Sequence, residues 1–205
     1  MIKTEIKNIP LCFETAPGLF SPNSVDPGTL AMLSAVEFVR EDRVLDLGCG
    51  YGPVGILAAR LIGEEKVIMC DISDDAIQYA KRNAVRNGVG GVEIRKSDGL
   101  TGIAERDFTK ILSNPPYHTD FSVAKHFIED GYRRLAWGGL MVMVTKRRDW
   151  YKNKLAAVFG GVKILQADGY YVFLAEKREH NPSGKKKDGK TQKGLSKKLR
   201  RKYGE

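Results

Sequence analysis

Midway along the chain, Ile111-Leu112-Ser113 runs into Asn114-Pro115-Pro116-Tyr117. Two consecutive prolines fix two φ angles and supply no N–H, so a buried strand must end there in a stiff, extended bend. The bend carries two acceptors, the side-chain oxygen of Asn114 and the backbone carbonyl of Pro115, with the Tyr117 ring beside them. Such a pair suits a planar NH2 group. Each oxygen takes one N–H, and the nitrogen lone pair, otherwise delocalised into a ring or carbonyl, is localised and aimed at an electrophile. Tyr117 can stack on the same flat group. His118, at the start of the following helix, reads as a surface or capping residue rather than a proton acceptor.

The second chemical signal is Val44-Leu45-Asp46-Leu47-Gly48-Cys49-Gly50-Tyr51-Gly52-Pro53-Val54-Gly55, a buried strand entering a glycine loop and then a helix. Glycines let the main chain turn sharply and leave no Cβ between backbone and ligand. Gly50, Gly52 and Gly55 spell G-x-G-x-x-G, and Asp71 lies 21 residues after Gly50, about where a dinucleotide fold keeps its ribose acid. Asp46 argues against a pyrophosphate, which its carboxylate would repel, and for a ligand with an ammonium group. Asp71 ends the second strand, where it can accept from ribose hydroxyls or cap the helix beside Ser73. Cys12, Cys49 and Cys70 lie in or beside buried elements and read as small core residues with free thiols; no Cys spacing indicates a metal site.

These residues need a frame. From Arg43 onward, apolar runs alternate with stretches of helical period, which predicts an α/β fold: a Rossmann-like, seven-stranded, mostly parallel sheet with helices on both faces. The strands are expected at 43–47, 66–71, 92–96, 109–113, 140–145, 162–166 and 170–175. The last two are joined by Ala167-Asp168-Gly169, too short for a crossover helix, and so form an antiparallel hairpin that ends the sheet with one reversed strand. Pro53 opens a helix that Gly63 stops. Ser73 caps 74–86, and a helix from Phe121 to Ala136 stops at Gly138-Gly139. Before Arg43, residues 2–13 suggest short strands broken at Pro10, followed by a loop and a helix near 29–39 opened by Asp26-Pro27. Three segments follow: 1–40 capping the sheet or ligand site, 41–179 as the ligand-binding domain, and 180–205 as an arm.

The 205 residues carry a net charge of +9, and 180–205 alone carries +8, leaving +1 for the remainder. That arm has two Leu and one Tyr as its large apolar groups, too few to order it alone. It reads either as a solubilising extension or as a contact with RNA phosphates, and composition does not choose between the two. The longest uncharged run, Leu47 to Ala59, is 13 residues and Gly-rich, short of the roughly 18 to 20 that a membrane helix needs. Lys3, Glu5 and Lys7 interrupt the N-terminus where a secretory signal would be apolar, so a cytoplasmic protein without membrane contact is expected.

The glycine loop with Asp46 resembles the D-x-G-x-G-x-G loop of class I S-adenosylmethionine-dependent methyltransferases, whose cofactor carries a sulfonium and an ammonium and no phosphate. The resemblance implies Asp46, Gly48, Cys49, Gly50, Tyr51, Gly52, Asp71 and Ile72 around S-adenosyl-L-methionine. It further implies Asp98 and Gly99 at the adenine, with Leu100 packing on the ring. Asn114-Pro115-Pro116-Tyr117, 68 residues after Asp46, is similar to the N-P-P-[YF] signature of amino-group N-methyltransferases acting on adenine N6, guanine N2 or glutamine. Pro17-Gly18-Leu19-Phe20-Ser21 and Val25-Asp26-Pro27-Gly28-Thr29 resemble the opening segment of small-domain ribosomal RNA guanine-N2 methyltransferases, over residues 13 to 178. In that family the segment covers the cofactor's methionine end, which brings in Phe20, while Asp26 and Thr29 are equally well read as helix caps. Better-known members carry a second, degenerate domain, for which the basic arm could substitute in contacting ribosomal RNA or an assembly particle. The expected activity is therefore methylation of an exocyclic amino group, first of all guanine N2 of ribosomal RNA. The alternatives are a protein glutamine or nucleic-acid adenine N6 acceptor, or a noncatalytic RNA-binding or ribosome-assembly factor.

Overall fold

The computed structural model describes residues 1–115 and 121–179. Pro116, Tyr117, His118, the expected cap at Thr119 or Asp120, and the arm 180–205 lie outside the described residues.

The chain opens with a two-stranded antiparallel sheet, β1 (Ile2–Ile6) and β2 (Ile9–Phe13). The strands are broken at Lys7-Asn8, not at Pro10. Both turn residues have positive φ, 53° and 61°, the conformation of a tight hairpin turn, while Pro10 pairs opposite Glu5 on an exposed position. Helix α1 (Pro27–Ser34) starts at the expected Asp26-Pro27 signal, with Asp26 accepting from the Thr29 N–H. It ends at Ser34 rather than near Val39, because the Val39 N–H is donated to the Asp42 carboxylate in a separate turn.

The main sheet comprises β3 (Val44–Leu47), β4 (Val67–Asp71), β5 (Glu93–Lys96), β6 (Phe108–Ser113), β7 (Leu135–Thr145), β8 (Lys163–Ala167) and β9 (Tyr170–Glu176), in the order β5-β4-β3-β6-β7-β9-β8. Strands β3 to β7 are mutually parallel, and β9 is antiparallel to both neighbours. The reversed strand thus sits inside β8 rather than at the edge. The interior strand β3 is buried at all four positions and apolar at three of them, with Asp46 the exception.

Helices α2 (Pro53–Ile62), α3 (Asp74–Arg86), α4 (Phe121–Arg134) and α5 (Arg148–Phe159) complete the layers. The caps of α2 and α3 are those the sequence predicts: Pro53 at the first position, Gly63 after the last, and Ser73 accepting from the Ala76 N–H. Helix α4 is shorter than expected, since Leu135 already pairs with Phe108. Gly138-Gly139 therefore lies within β7, where the register shifts and a Cβ on Gly139 would stand 2.8 Å from the Phe108 carbonyl. Helix α5 was not anticipated. Its buried residues are Tyr151, Leu155 and Phe159, a sparse stripe among charged neighbours. Two apolar clusters result, one on each face of the sheet.

Candidate active site

The sheet order reverses between β3 and β6, whose C-terminal ends lie side by side, with Asp46 opposite Leu112. A crevice at such a reversal is where open α/β sheets bind ligands. Here it is a cavity of about 370 Å³ built from the ends of β3, β4, β5 and β6, roofed by Phe20, Asp26 and Thr29 of the N-terminal segment. Nearly half of Phe20 remains exposed.

The glycine loop forms its floor. Gly48 and Gly50 have φ of +77° and +56°, and the N–H groups of Gly48 and Cys49 both donate to the Cys70 carbonyl. The Gly50 N–H donates to Asp71 Oδ2 at 2.9 Å, while Asp71 Oδ1 accepts from Ser73 N–H. Asp71 thereby ties two loops together as it faces the cavity. Asp46 is buried and accepts from the Gly55 N–H at 2.8 Å. Burial pushes its carboxyl up to about 7; the Gly55 N–H pulls the other way, and the nearby Asp71 charge adds to the rise. The Cys49 and Cys70 thiols are pushed up as well, foremost by burial, so neither is a thiolate nucleophile.

At the far wall stand Asn114 and Pro115. Asn114 donates through Nδ2 to Asp26 Oδ2 and to Thr29 Oγ1, each at 3.0 Å. With both N–H groups of the amide directed at these two oxygens, Oδ1 lies on the other side of the carboxamide. Asp26 is itself buried and held by the Tyr170 hydroxyl at 3.1 Å and by its own helix cap. Gly28 makes this possible, since a Cβ there would meet the Tyr170 ring at 2.5 Å.

Asp46, Gly48, Cys49, Gly50, Tyr51, Asp71, Ile72, Asp98, Gly99, Asn114, Pro115 and Phe20 all line the cavity. Gly52 does not. Its φ of +104° and the 2.7 Å from a notional Cβ to Ile56 make it the bend from loop into α2. Leu100 is buried away from the cavity, and Phe127, packed at Gly99, takes the wall position expected of it. Val123 and Phe127, four apart on α4, present a face that also opens on the cavity.

The lining holds Asp26, Asp46, Asp71 and Asp98 and no Lys, Arg or His among the described residues. Such a lining repels phosphate and suits a ligand with a cationic end and hydroxyls. Backbone cradled by Cβ-free positions and four carboxylates fit S-adenosylmethionine and not a dinucleotide.

Fold and cavity define a class I S-adenosylmethionine-dependent methyltransferase. The sequence model of the methyltransferase small domain matches residues 10–175, and the chain belongs to that family. It is 30% identical over 178 residues to the uncharacterized protein YbxB of Bacillus subtilis, covering 84% of this chain and 89% of that one. It is 33% identical to ribosomal RNA large subunit methyltransferase G of Alteromonas mediterranea, covering 80% of this chain and 43% of that enzyme. Among solved structures, RsmC of T. thermophilus, a 16S rRNA N2 G methyltransferase in complex with AdoMet and guanosine, superposes with a TM-score of 0.77 at 30% identity. That match covers 86% of this chain and 50% of RsmC. The chain thus spans about half the length of the ribosomal RNA enzymes it matches.

Proposed function

We propose that this chain methylates an exocyclic amino group, guanine N2 of ribosomal RNA foremost. The observation that carries the reading is the amide of Asn114, whose nitrogen is committed to Asp26 and Thr29 so that its oxygen is the acceptor. Supporting the substrate are the likeness to RsmC, a 16S rRNA N2 G methyltransferase with guanosine in its complex, and the likeness to the large-subunit ribosomal RNA methyltransferase.

Bound in the cavity, S-adenosylmethionine supplies an electrophilic methyl on a cationic sulfur. Asp46 steadies the loop through Gly55 and attracts the ammonium end, Asp71 accepts from ribose hydroxyls, and Ile72, Asp98 and Gly99 hold the adenine. Gly48, Cys49, Gly50 and Tyr51 give the close backbone approach, and Phe20 covers the site. The Asn114 oxygen and the Pro115 carbonyl each accept one N–H of the substrate amine and stabilise those hydrogens as the nitrogen gains positive charge. Pro116 stiffens the bend and Tyr117 stacks on the base; one proton of the amine leaves to water afterwards. A guanine must be unstacked to reach this pocket. Residues 1–40 act as the cover and 41–179 as the catalytic body. The arm 180–205 supplies phosphate contacts in ribosomal RNA or an assembly particle, substrates of a cytoplasmic protein.

The test is transfer of tritium from labelled S-adenosylmethionine to ribosomal RNA lacking the modification. Label is expected in nuclease-sensitive N2-methylguanosine and should vanish in Asn114→Ala. Label in nuclease-resistant material would instead establish a protein glutamine acceptor, and no label with intact cofactor binding would favour a noncatalytic factor.

A further inference from the structure

The charge on this molecule is segregated around the cavity. The interior is lined by four Asp and, among the described residues, by no basic side chain. Immediately beyond Thr145, the last residue of β7, stand Lys146, Arg147 and Arg148, all exposed. Each cation lies over an aromatic ring: Lys146 over Tyr170 at 4.8 Å, Arg147 over Phe121 at 4.9 Å and Arg148 over Tyr171 at 6.0 Å. Cation–π contact restrains a long side chain without neutralising it. Arg148 also has Asp149 at 3.4 Å, an exposed pair of little strength.

Two of those rings adjoin the site. Tyr170 donates to Asp26 on the cavity wall, and Phe121 opens α4, whose Val123 and Phe127 line the cavity. Phe121 is in turn stacked on Trp150 of α5 at 4.3 Å, so the platform under the cations is packed rather than loose. Lys146 and Arg147 therefore stand beside the elements that wall an anionic pocket, with Arg148 next to them in sequence.

The arm does not start there. Tyr171 pairs with Thr145 at the C-terminal edge of the sheet, but β9 runs backwards, and Lys177 bonds Gly138 and Gly139 at the opposite edge. At about 3.4 Å per residue, the two ends of β9 are roughly 20 Å apart. Phosphates next to a nucleotide in the cavity thus meet the β7–α5 turn first.

We propose that Lys146, Arg147 and Arg148 form a clamp for the RNA phosphates flanking the target nucleotide, separate from the arm. The inference rests on the reading of an RNA substrate above. The experiment is fluorescence anisotropy of a labelled single-stranded RNA oligonucleotide across a salt series. It compares the full chain with a triple variant, Lys146→Gln, Arg147→Gln and Arg148→Gln, with and without residues 180–205. Each lost phosphate contact removes on the order of 0.7 from the log–log salt slope, so the triple variant should lose about 2 in both backgrounds. Binding of S-adenosylhomocysteine by calorimetry should stay at the wild-type level. Should the triple variant fail to fold, Arg148→Gln alone is expected to lose roughly 0.7. An unchanged slope and affinity in a variant that still binds the cofactor product overturns the clamp. RNA binding needs no methyl transfer, so a wild type that binds through the clamp yet transfers no label would refute the enzymatic reading and leave the clamp standing.

Discussion

Asn114 is useful only if its carboxamide faces one way, and the structure shows two groups that set it, Asp26 and Thr29. Asp26→Asn is the informative change, because Asn caps a helix as well as Asp does and so spares α1. The variant lets the Asn114 amide flip, and kcat is expected to fall about tenfold or more with little change in KM; a kcat equal to wild type would show that Asp26 is only a cap. Asn114→Ala, which removes the acceptor outright, should cost on the order of 100-fold in kcat. The place of Asn114 just past the end of β6 is legible in the sequence because the prolines that follow leave a strand few options. Its orienting partners are not, since they lie 88 and 85 residues away and spell an ordinary helix cap.

Asp46 carries a prediction of its own. With the folded carboxyl raised to about 7 from an ordinary 3.8, the folded state binds an extra proton between those values. Stability from this group is full below pH about 4 and is lost as pH rises through about 7. An ammonium-bearing cofactor favours the ionised form, so its affinity should rise with pH across the same window. Titration calorimetry from pH 5.5 to 8 checks this; Asp46→Asn should flatten the dependence, and a wild-type affinity that falls with pH would contradict the assigned role.

At the scale of elements, the N-terminal segment is held on the sheet by two side chains of and beside α3. Asn83 is fully buried; its Nδ2 donates to the carbonyls of Glu14 and Tyr51, and its Oδ1 accepts from the Glu14 N–H. Asn87 does the same for Cys12 with one N–H accepted and one donated. Asn83→Ala strands three backbone groups and should cost about 3 kcal/mol, a fall of roughly 6 to 12 °C in thermal midpoint. A drop under about 2 °C by scanning fluorimetry would show that the segment is held by its apolar contacts instead. Asn87-Gly88 ends α3, and the long-range bonds of Asn87 to Cys12 have no local signature. The interior strands were legible because buried strands are near-continuous apolar runs, as at 67–70 and 140–144, whereas the edge strands β5 and β8 are largely exposed and carry a weaker apolar signal. Helix α5 was not, because its stripe of Tyr151, Leu155 and Phe159 is thin and its polar face dominates the composition. The Gly138-Gly139 pair misled for a related reason: glycine marks a backbone that must bend or approach closely, in a strand as readily as after a helix.

For the whole molecule, the sheet reversal between β3 and β6 explains why motifs 68 residues apart share one cavity. Hairpin pairing of β8 with β9 follows from the short link between them, whereas the placement of β9 inside β8 depends on which partner β7 accepts, a long-range choice. That placement puts Lys177, just past the end of β9, at the edge away from the cavity. Deleting 180–205 should accordingly weaken RNA binding and lower its salt slope, while cofactor affinity, set about 20 Å away, stays unchanged. A weakened cofactor affinity in the truncated chain, measured by calorimetry, would contradict this division of labour.

The measurement that bears most directly on the account is a crystal structure with S-adenosylhomocysteine and guanosine bound together. It should show the base amino nitrogen within hydrogen-bonding distance of both Asn114 Oδ1 and the Pro115 carbonyl, facing the sulfur. A base seated elsewhere, or Asn114 turned so that its nitrogen points into the cavity, would contradict it.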